Sequence, residues 1–214
     1  MKRMFYRMNT PHSSITRRSL LGVLAVLIFG STLVSCDGEL FEARAIRPFV
    51  IENDTTLSLN DVIDSNTLVA FEEALRQNPN TTWLIFYDAP GSEDDEINLQ
   101  VGRRLHEMGL HTQVAEGGSI ASGAVDLFLA GDVRLLEANA RVGVHSWSTG
   151  SREATDFPRE SEEHQPYIQY YQAIGMDSAL ASSFYFFTIE AAPAADIHWM
   201  TSAEIEAYEV ENPE

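Results

Sequence analysis

A serine lies inside a run of small residues, Gly117-Gly118-Ser119-Ile120-Ala121-Ser122-Gly123-Ala124, and an apolar helix pattern running to Leu129 follows at once. Beyond it, Arg141-Val142-Gly143-Val144-His145 reads as a short strand ending in a histidine. A hydroxyl at a helix start sits among backbone N–H groups that lack intrahelical partners, where the helix dipole also favours negative charge. A histidine within reach can take the hydroxyl proton and return it to a leaving group. The arrangement suits covalent catalysis by serine, with Ser122 as nucleophile and His145 as base. The turn carrying Ser122 supplies one N–H to an oxyanion, and Gly91, after a separate strand, is placed to supply a second. Loss of one such donor typically costs ~10²–10³ in rate. Ser119, which also lies beside glycines, is the rival nucleophile.

A third group must hold the imidazole in its tautomer. Asp196, just before Ile197-His198-Trp199-Met200, is the first choice and Glu190 the second. His106, His111, His164 and His198 lack the short strand and the position relative to Ser122 that single out His145. No His-Glu-x-x-His zinc motif, phosphate loop or dinucleotide fingerprint occurs, so neither a metal nor another cofactor is expected.

Alternating strand and helix patterns position these residues. Thr56-Leu57-Ser58-Leu59 alternates like a strand, and Ser65 caps a helix carrying Leu68, Phe71 and Leu75 that ends at Asn78-Pro79-Asn80. Thr82 to Tyr87 is a short apolar run that suits a buried strand. After the turn Asp88-Ala89-Pro90-Gly91-Ser92, a second helix buries Ile97, Val101 and Leu105, and Gly109 closes it. Leu110 to Val114 is the next strand. Repeated units of this kind imply an α/β fold with parallel pairing. The aromatic segments Tyr167–Tyr171 and Ser183–Phe187 suit core packing better than an interface. Ser146 to Gln165 is either a lid or a connection.

The front of the chain has another purpose. Residues 1 to 19 are basic and free of acids, and the apolar run Leu20–Phe29 is too short for a membrane span, which needs ~20 residues. Leu33-Val34-Ser35-Cys36 resembles a bacterial lipobox, which implies an export signal over 1–35 and lipidation of Cys36, the only cysteine. Thr16-Arg17-Arg18-Ser19-Leu20-Leu21 resembles a twin-arginine signal. Residues 36–54 read as a tether and 55–214 as one domain. After the signal the chain carries all 32 acids against nine arginines and no lysine, a net charge of −23. Such a surface repels nucleic acid and anionic headgroups, so attachment to a membrane rests on the lipid. The expected location is outside the cytoplasm, lipid-anchored and facing the periplasm or the cell exterior.

Four pieces of the chain together resemble a known family. Ala89-Pro90-Gly91-Ser92, Ala121-Ser122-Gly123, Phe128-Leu129-Ala130-Gly131 and Ala140-Arg141-Val142-Gly143-Val144-His145 are similar to segments of the Clp-type serine peptidases within the Clp/crotonase superfamily. They are closer still to exported, Clp-like bacterial proteins, whose Asp-Ile-Tyr-Trp-Leu-Thr-x-x-Glu is matched by Asp196 to Glu204. The likeness covers about residues 56 to 210. It implies repeated β-β-α or β-α units around a mostly parallel sheet, a triad of Ser122, His145 and Asp196, and an oxyanion hole from Gly91 and Gly123. It further implies a peptide or protein substrate, and self-assembly, since related peptidases form rings.

Two departures stand out. The paired glycines of the family are reduced to Gly91-Ser92, and alignment through Glu204 and Tyr208 places Ile197 at the acid position. The absence of lysine after the signal excludes the serine–lysine dyad of signal peptide peptidases, and crotonase-type thioester chemistry would need coenzyme A outside the cytoplasm. A catalytically silent module that binds proteins is the alternative function. Replacing the thiol tests the anchor: Cys36→Ala should shift the protein from the membrane to the soluble fraction and change its electrophoretic mobility. Unchanged fractionation and mobility would rule out lipidation.

Overall fold

A computed structural model describes residues 43–213; the expected export signal and Cys36 lie outside them. The strands are β1 (Arg44–Ile46), β2 (Phe49–Asn53), β3 (Thr56–Leu59), β4 (Trp83–Ala89), β5 (His111–Ala121), β6 (Arg134–Leu136), β7 (Arg141–Val144), β8 (Ser148–Thr149), β9 (Arg152–Glu153) and β10 (His198–Trp199). The helices are α1 (Thr67–Gln77), α2 (Asp95–Glu107), α3 (Gly123–Leu129), α4 (Gln165–Ala173), α5 (Ser178–Ala191) and α6 (Ser202–Ala207).

The sheet runs β1-β2-β3-β4-β5-β7-β10, with β6 also on β5 and a separate β8–β9 hairpin. Pairing is parallel from β3 through β4 and β5 to β6 and β7, and antiparallel at both ends. This is the mixed α/β, mostly parallel architecture expected from the alternating patterns. The sheet starts earlier than expected, since β1 and β2 lie in the stretch read as a tether. Phe49 and Ile51 explain this: both are buried, and Phe49 packs on Phe71 of α1. The helix α1 starts at Thr67, not behind a Ser65 cap. There the Asp64 carboxylate accepts from the Asn66 N–H and the Thr67 hydroxyl.

The central strand β5 exchanges neighbours along its length. Thr112–Val114 pair with β6, whereas Ser119–Ala121 pair with β7. Between them the register against β4 jumps from Phe86↔Val114 to Asp88↔Ser119, so β5 bulges by three residues. Gly117 (φ 68°) and Gly118 make this possible, because a Cβ on Gly118 would lie 2.7 Å from the Tyr87 carbonyl oxygen. The small-residue run is therefore a bulged strand rather than a turn, and the chain leaves the sheet only at Ser122.

Behind the sheet, α3 is wholly buried, with Leu127 and Phe128 in the core. Helix α2 touches α4 at Gly102, where a Cβ would fall 1.9 Å from the Tyr170 hydroxyl. That hydroxyl donates to the backbone oxygen of Asp126 at 2.7 Å, tying α4 to the middle of α3. Most aromatic side chains of α4 and α5 are core, including Tyr170, Tyr171, Phe184 and Tyr185. The segment between β7 and α4 is ordered by its own contacts. The Trp147 indole N–H donates to the Tyr185 hydroxyl, which pairs with Nδ1 of buried His164, while the His164 Nε2 meets the Pro158 carbonyl.

Candidate active site

Ser122 follows β5 and immediately precedes α3, with φ 53° and ψ −132°. Few L-residues adopt this glycine-type conformation, and it costs of order 1–3 kcal/mol. Two backbone bonds hold it: the Ser122 N–H donates to the Gly143 carbonyl at 3.0 Å, and the Ser122 carbonyl accepts from the Val125 N–H at 2.8 Å. The first continues the β5–β7 pairing, in which Ala121 faces Gly143. The sheet itself thus forces the strained turn.

Two glycines fit around the serine. Gly91 (φ 132°) packs so closely that a Cβ there would lie 2.7 Å from Ser122 Cβ and 3.3 Å from Oγ. A Cβ on Gly123 would meet Ser92 Oγ at 2.3 Å. The serine that replaces the second glycine of the expected turn is therefore accommodated by the glycine after Ser122. Ser92 Oγ in turn donates to Asp95 at the start of α2. Gly123 is the first residue of α3 and its N–H has no intrahelical partner.

Ser122 and His145 are both half-buried and line one narrow cavity of about 40 Å³ with Asp95, Asp126, Tyr167 and Tyr171. Among the described residues Ser122 Oγ makes no hydrogen bond, so its hydroxyl is free to be engaged. His145 Nδ1 lies 2.7 Å from the carbonyl oxygen of Ser146. A carbonyl only accepts, so neutral His145 carries its proton on Nδ1 and leaves the Nε2 lone pair to act as base.

The expected acids lie elsewhere. Asp196 is exposed and its carboxylate accepts from the Ile197 N–H, with no bond to His145. Glu190 is exposed and paired with Arg159. The β7–β10 register sets His198 against Val144, which brings Ile197 level with His145, and Ile197 lies over Gly143. The alignment that puts Ile197 at the acid position matches this geometry better than the choice of Asp196. A backbone carbonyl orients the imidazole instead. The rival Ser119 donates to Asp88 at 2.7 Å and does not line the cavity.

Asp126 joins the site from outside the set expected from sequence, although an acid in the middle of the apolar run Gly123–Leu129 is a legible signal. It sits in the first turn of α3 and lines the same cavity as Ser122. Its Oδ1 accepts from the Tyr171 hydroxyl at 2.6 Å and its Oδ2 from Asn98 Nδ2 at 3.3 Å. Burial pushes its carboxyl up to about 7, and the nearby Asp95 adds to the shift. Tyr167, whose hydroxyl donates to Asp95 Oδ2 at 2.6 Å, is also raised by burial and then by the Asp95 charge. Among the described residues no group of three or more His, Cys, Asp or Glu is arranged to hold a metal ion.

Neither a family model nor a curated protein matches the chain. Solved structures do. The ClpP protease catalytic domain from Plasmodium falciparum aligns over 74% of this chain and 82% of its own, at 16% identity and a TM-score of 0.51. ClpP1 from Listeria monocytogenes aligns over 74% and 89%, at 13% identity and 0.50. A point mutant of the 1510-N membrane-bound stomatin-specific protease aligns over 73% and 76%, at 16% identity and 0.48. The first two give the class of fold: the domain has the Clp protease fold.

Two substitutions separate strain from charge. Ser122→Gly should raise stability by about 1 kcal/mol, because glycine adopts this conformation without strain. The gain is read as a higher urea midpoint with an unchanged slope. For Asp126, the native state keeps a proton that the unfolded chain releases, so its presence lowers stability as pH climbs from about 4 to about 7. Asp126→Asn should therefore raise the melting temperature at pH 8 and change it little at pH 4. An equal shift at both pH values would contradict the buried-carboxyl assignment.

Proposed function

We propose that the protein is a serine hydrolase of the Clp protease fold that cleaves acyl bonds in peptides through an acyl-enzyme. It acts outside the cytoplasm from a lipid anchor at Cys36. The observation that carries the reading is the strained Ser122, set at the start of α3 and facing the same cavity as His145. His145 Nε2 takes the Ser122 proton as Oγ attacks the substrate carbonyl, and the imidazolium then protonates the leaving amine. The N–H groups of Gly123 and Gly91 receive the oxyanion. Water enters as the amine departs, and His145 activates it to release the acyl group.

The Ser146 carbonyl fixes the tautomer without supplying a full counter-charge for the imidazolium. That favours slow turnover compared with a carboxylate-backed histidine. The same feature supports the second reading, a silent module that keeps the fold for protein binding. Here the apolar Ile197 beside His145 is the relevant observation.

A fluorophosphonate probe separates the two. Applied to the full-length protein in detergent, it should label the native chain and Ser119→Ala. Ser122→Ala should not be labelled, and His145→Ala should label at least about 10²-fold more slowly, the usual size of a general-base contribution. A folded native protein that the probe leaves unlabelled would support the binding module.

A further inference from the structure

Most of the cavity beside Ser122 is apolar or aromatic, with Val125, Ile189, Tyr167 and Tyr171 among its walls, yet two carboxyl groups line it. Asp126 is only 9% exposed. Acidic side chains are rarely buried so far unless paired with a cation. Among the described residues, every arginine that pairs with an acid pairs elsewhere, on Asp61, Glu72, Glu73, Glu107 or Glu190. Within that same set neither Asp95 nor Asp126 has a cationic partner. Arg103, which lies over the Tyr170 ring, makes no ion pair there. Beside Asp126, Asn98 is fully buried and its Oδ1 has no donor, although its Nδ2 bonds both Asp126 and the Gly123 carbonyl. The pocket floor is thus short of positive charge.

We propose that this cavity is the subsite for a cationic side chain, lysine above all, on the substrate residue whose carbonyl Ser122 attacks. The geometry supplies the length. Asp126 lies three residues into α3 from Gly123, an axial step of ~4.5 Å, which a four-carbon stem spans with its ammonium outstretched. The stem packs on Val125 and Ile189, while the head donates to the Asp95 carboxylate and to Asp126, whose carboxyl releases its proton to solvent as the cation docks. A wider groove of about 680 Å³ continues from this cavity, sharing Asp95, Trp147 and Tyr167 with it. It gives the rest of an extended peptide somewhere to lie. The subsite itself stands on the cavity; only its assignment to the attacked residue rests on the proposed hydrolase reading.

The test reads binding rather than turnover, so it does not depend on activity. Full-length Ser122→Ala protein in detergent is titrated with fluorescent capped peptides that differ only in one central residue, lysine or norleucine. The lysine peptide should bind about tenfold or more tightly, the size of effect a desolvated charge pair can produce. Adding Asp126→Asn should abolish the difference, with melting curves confirming the fold. Adding Glu96→Gln, which removes an exposed acid of the groove, should leave it intact. Equal affinities, a preference that survives Asp126→Asn, or no binding of the lysine peptide at millimolar concentration would each overturn the subsite. Failure of fluorophosphonate labelling alone would remove the hydrolase reading and leave a lysine-recognising pocket.

Discussion

The β5–β7 pairing is the constraint from which the site follows. It runs through Ala121↔Gly143 and then takes one further bond, from the Ser122 N–H to the Gly143 carbonyl. That bond holds Ser122 in a glycine-type conformation and starts α3 in the same step. The alternative would be to leave a strand-end N–H unpaired, which costs about as much as the strain it avoids. Everything nearby is shaped to this turn. Gly91 must lack a side chain because Ser122 occupies the space, and Gly123 must lack one because Ser92 does. The bulge at Gly117-Gly118 brings β5 to β7 at all, since without it the strand would continue beside β6.

Charge forms the second layer. A chain with so large an acidic excess gains nothing in solubility from one more buried carboxyl, and placing Asp126 in the floor of the cavity costs desolvation. Tyrosine hydroxyls on α4 offset part of that cost: Tyr171 donates to Asp126 and Tyr167 to Asp95. Hydrogen bonds from neutral donors stabilise a carboxylate less than a cation does. Asp126 therefore keeps a proton toward neutral pH, and this is the kind of local cost that marks a binding site more often than a stability device. The tyrosines also fix α4 against α2 and α3, so the walls of the cavity and the packing of the aromatic helices are one arrangement.

Much of the frame is legible in the sequence because its signals are local. Thr56–Leu59, the apolar run beginning at Trp83 and the face formed by Ile97, Val101 and Leu105 each declare an element through periodicity. The serine at the start of α3 and the histidine after β7 are legible for the same reason. What stays hidden is non-local. Nothing adjacent to Gly117-Gly118 says that the strand continues through a bulge, because the reason is its exchange of partners. Residues 44–53 look mixed, yet Phe49 finds Phe71 from another element. Order along the chain points to Asp196, whereas antiparallel pairing with β7 decides what stands beside His145, and it selects Ile197.

The imidazole is thus oriented by a group that no side-chain motif encodes. A carbonyl accepts one hydrogen bond from Nδ1–H and so fixes the tautomer, but it holds the ring less strongly than a carboxylate and adds no negative charge when Nε2 becomes protonated. The acids that do carry charge lie on α3 and α2, lining the cavity rather than backing the histidine. That division has a consequence for substrates. A cationic side chain drawn into the cavity would pair with Asp95 and favour ionisation of Asp126, so binding would not have to neutralise the group that orients His145. In a triad whose acid also lined the pocket, the same cation would weaken the base. Here the His145 imidazole is held by the backbone, and the pocket is free to be acidic.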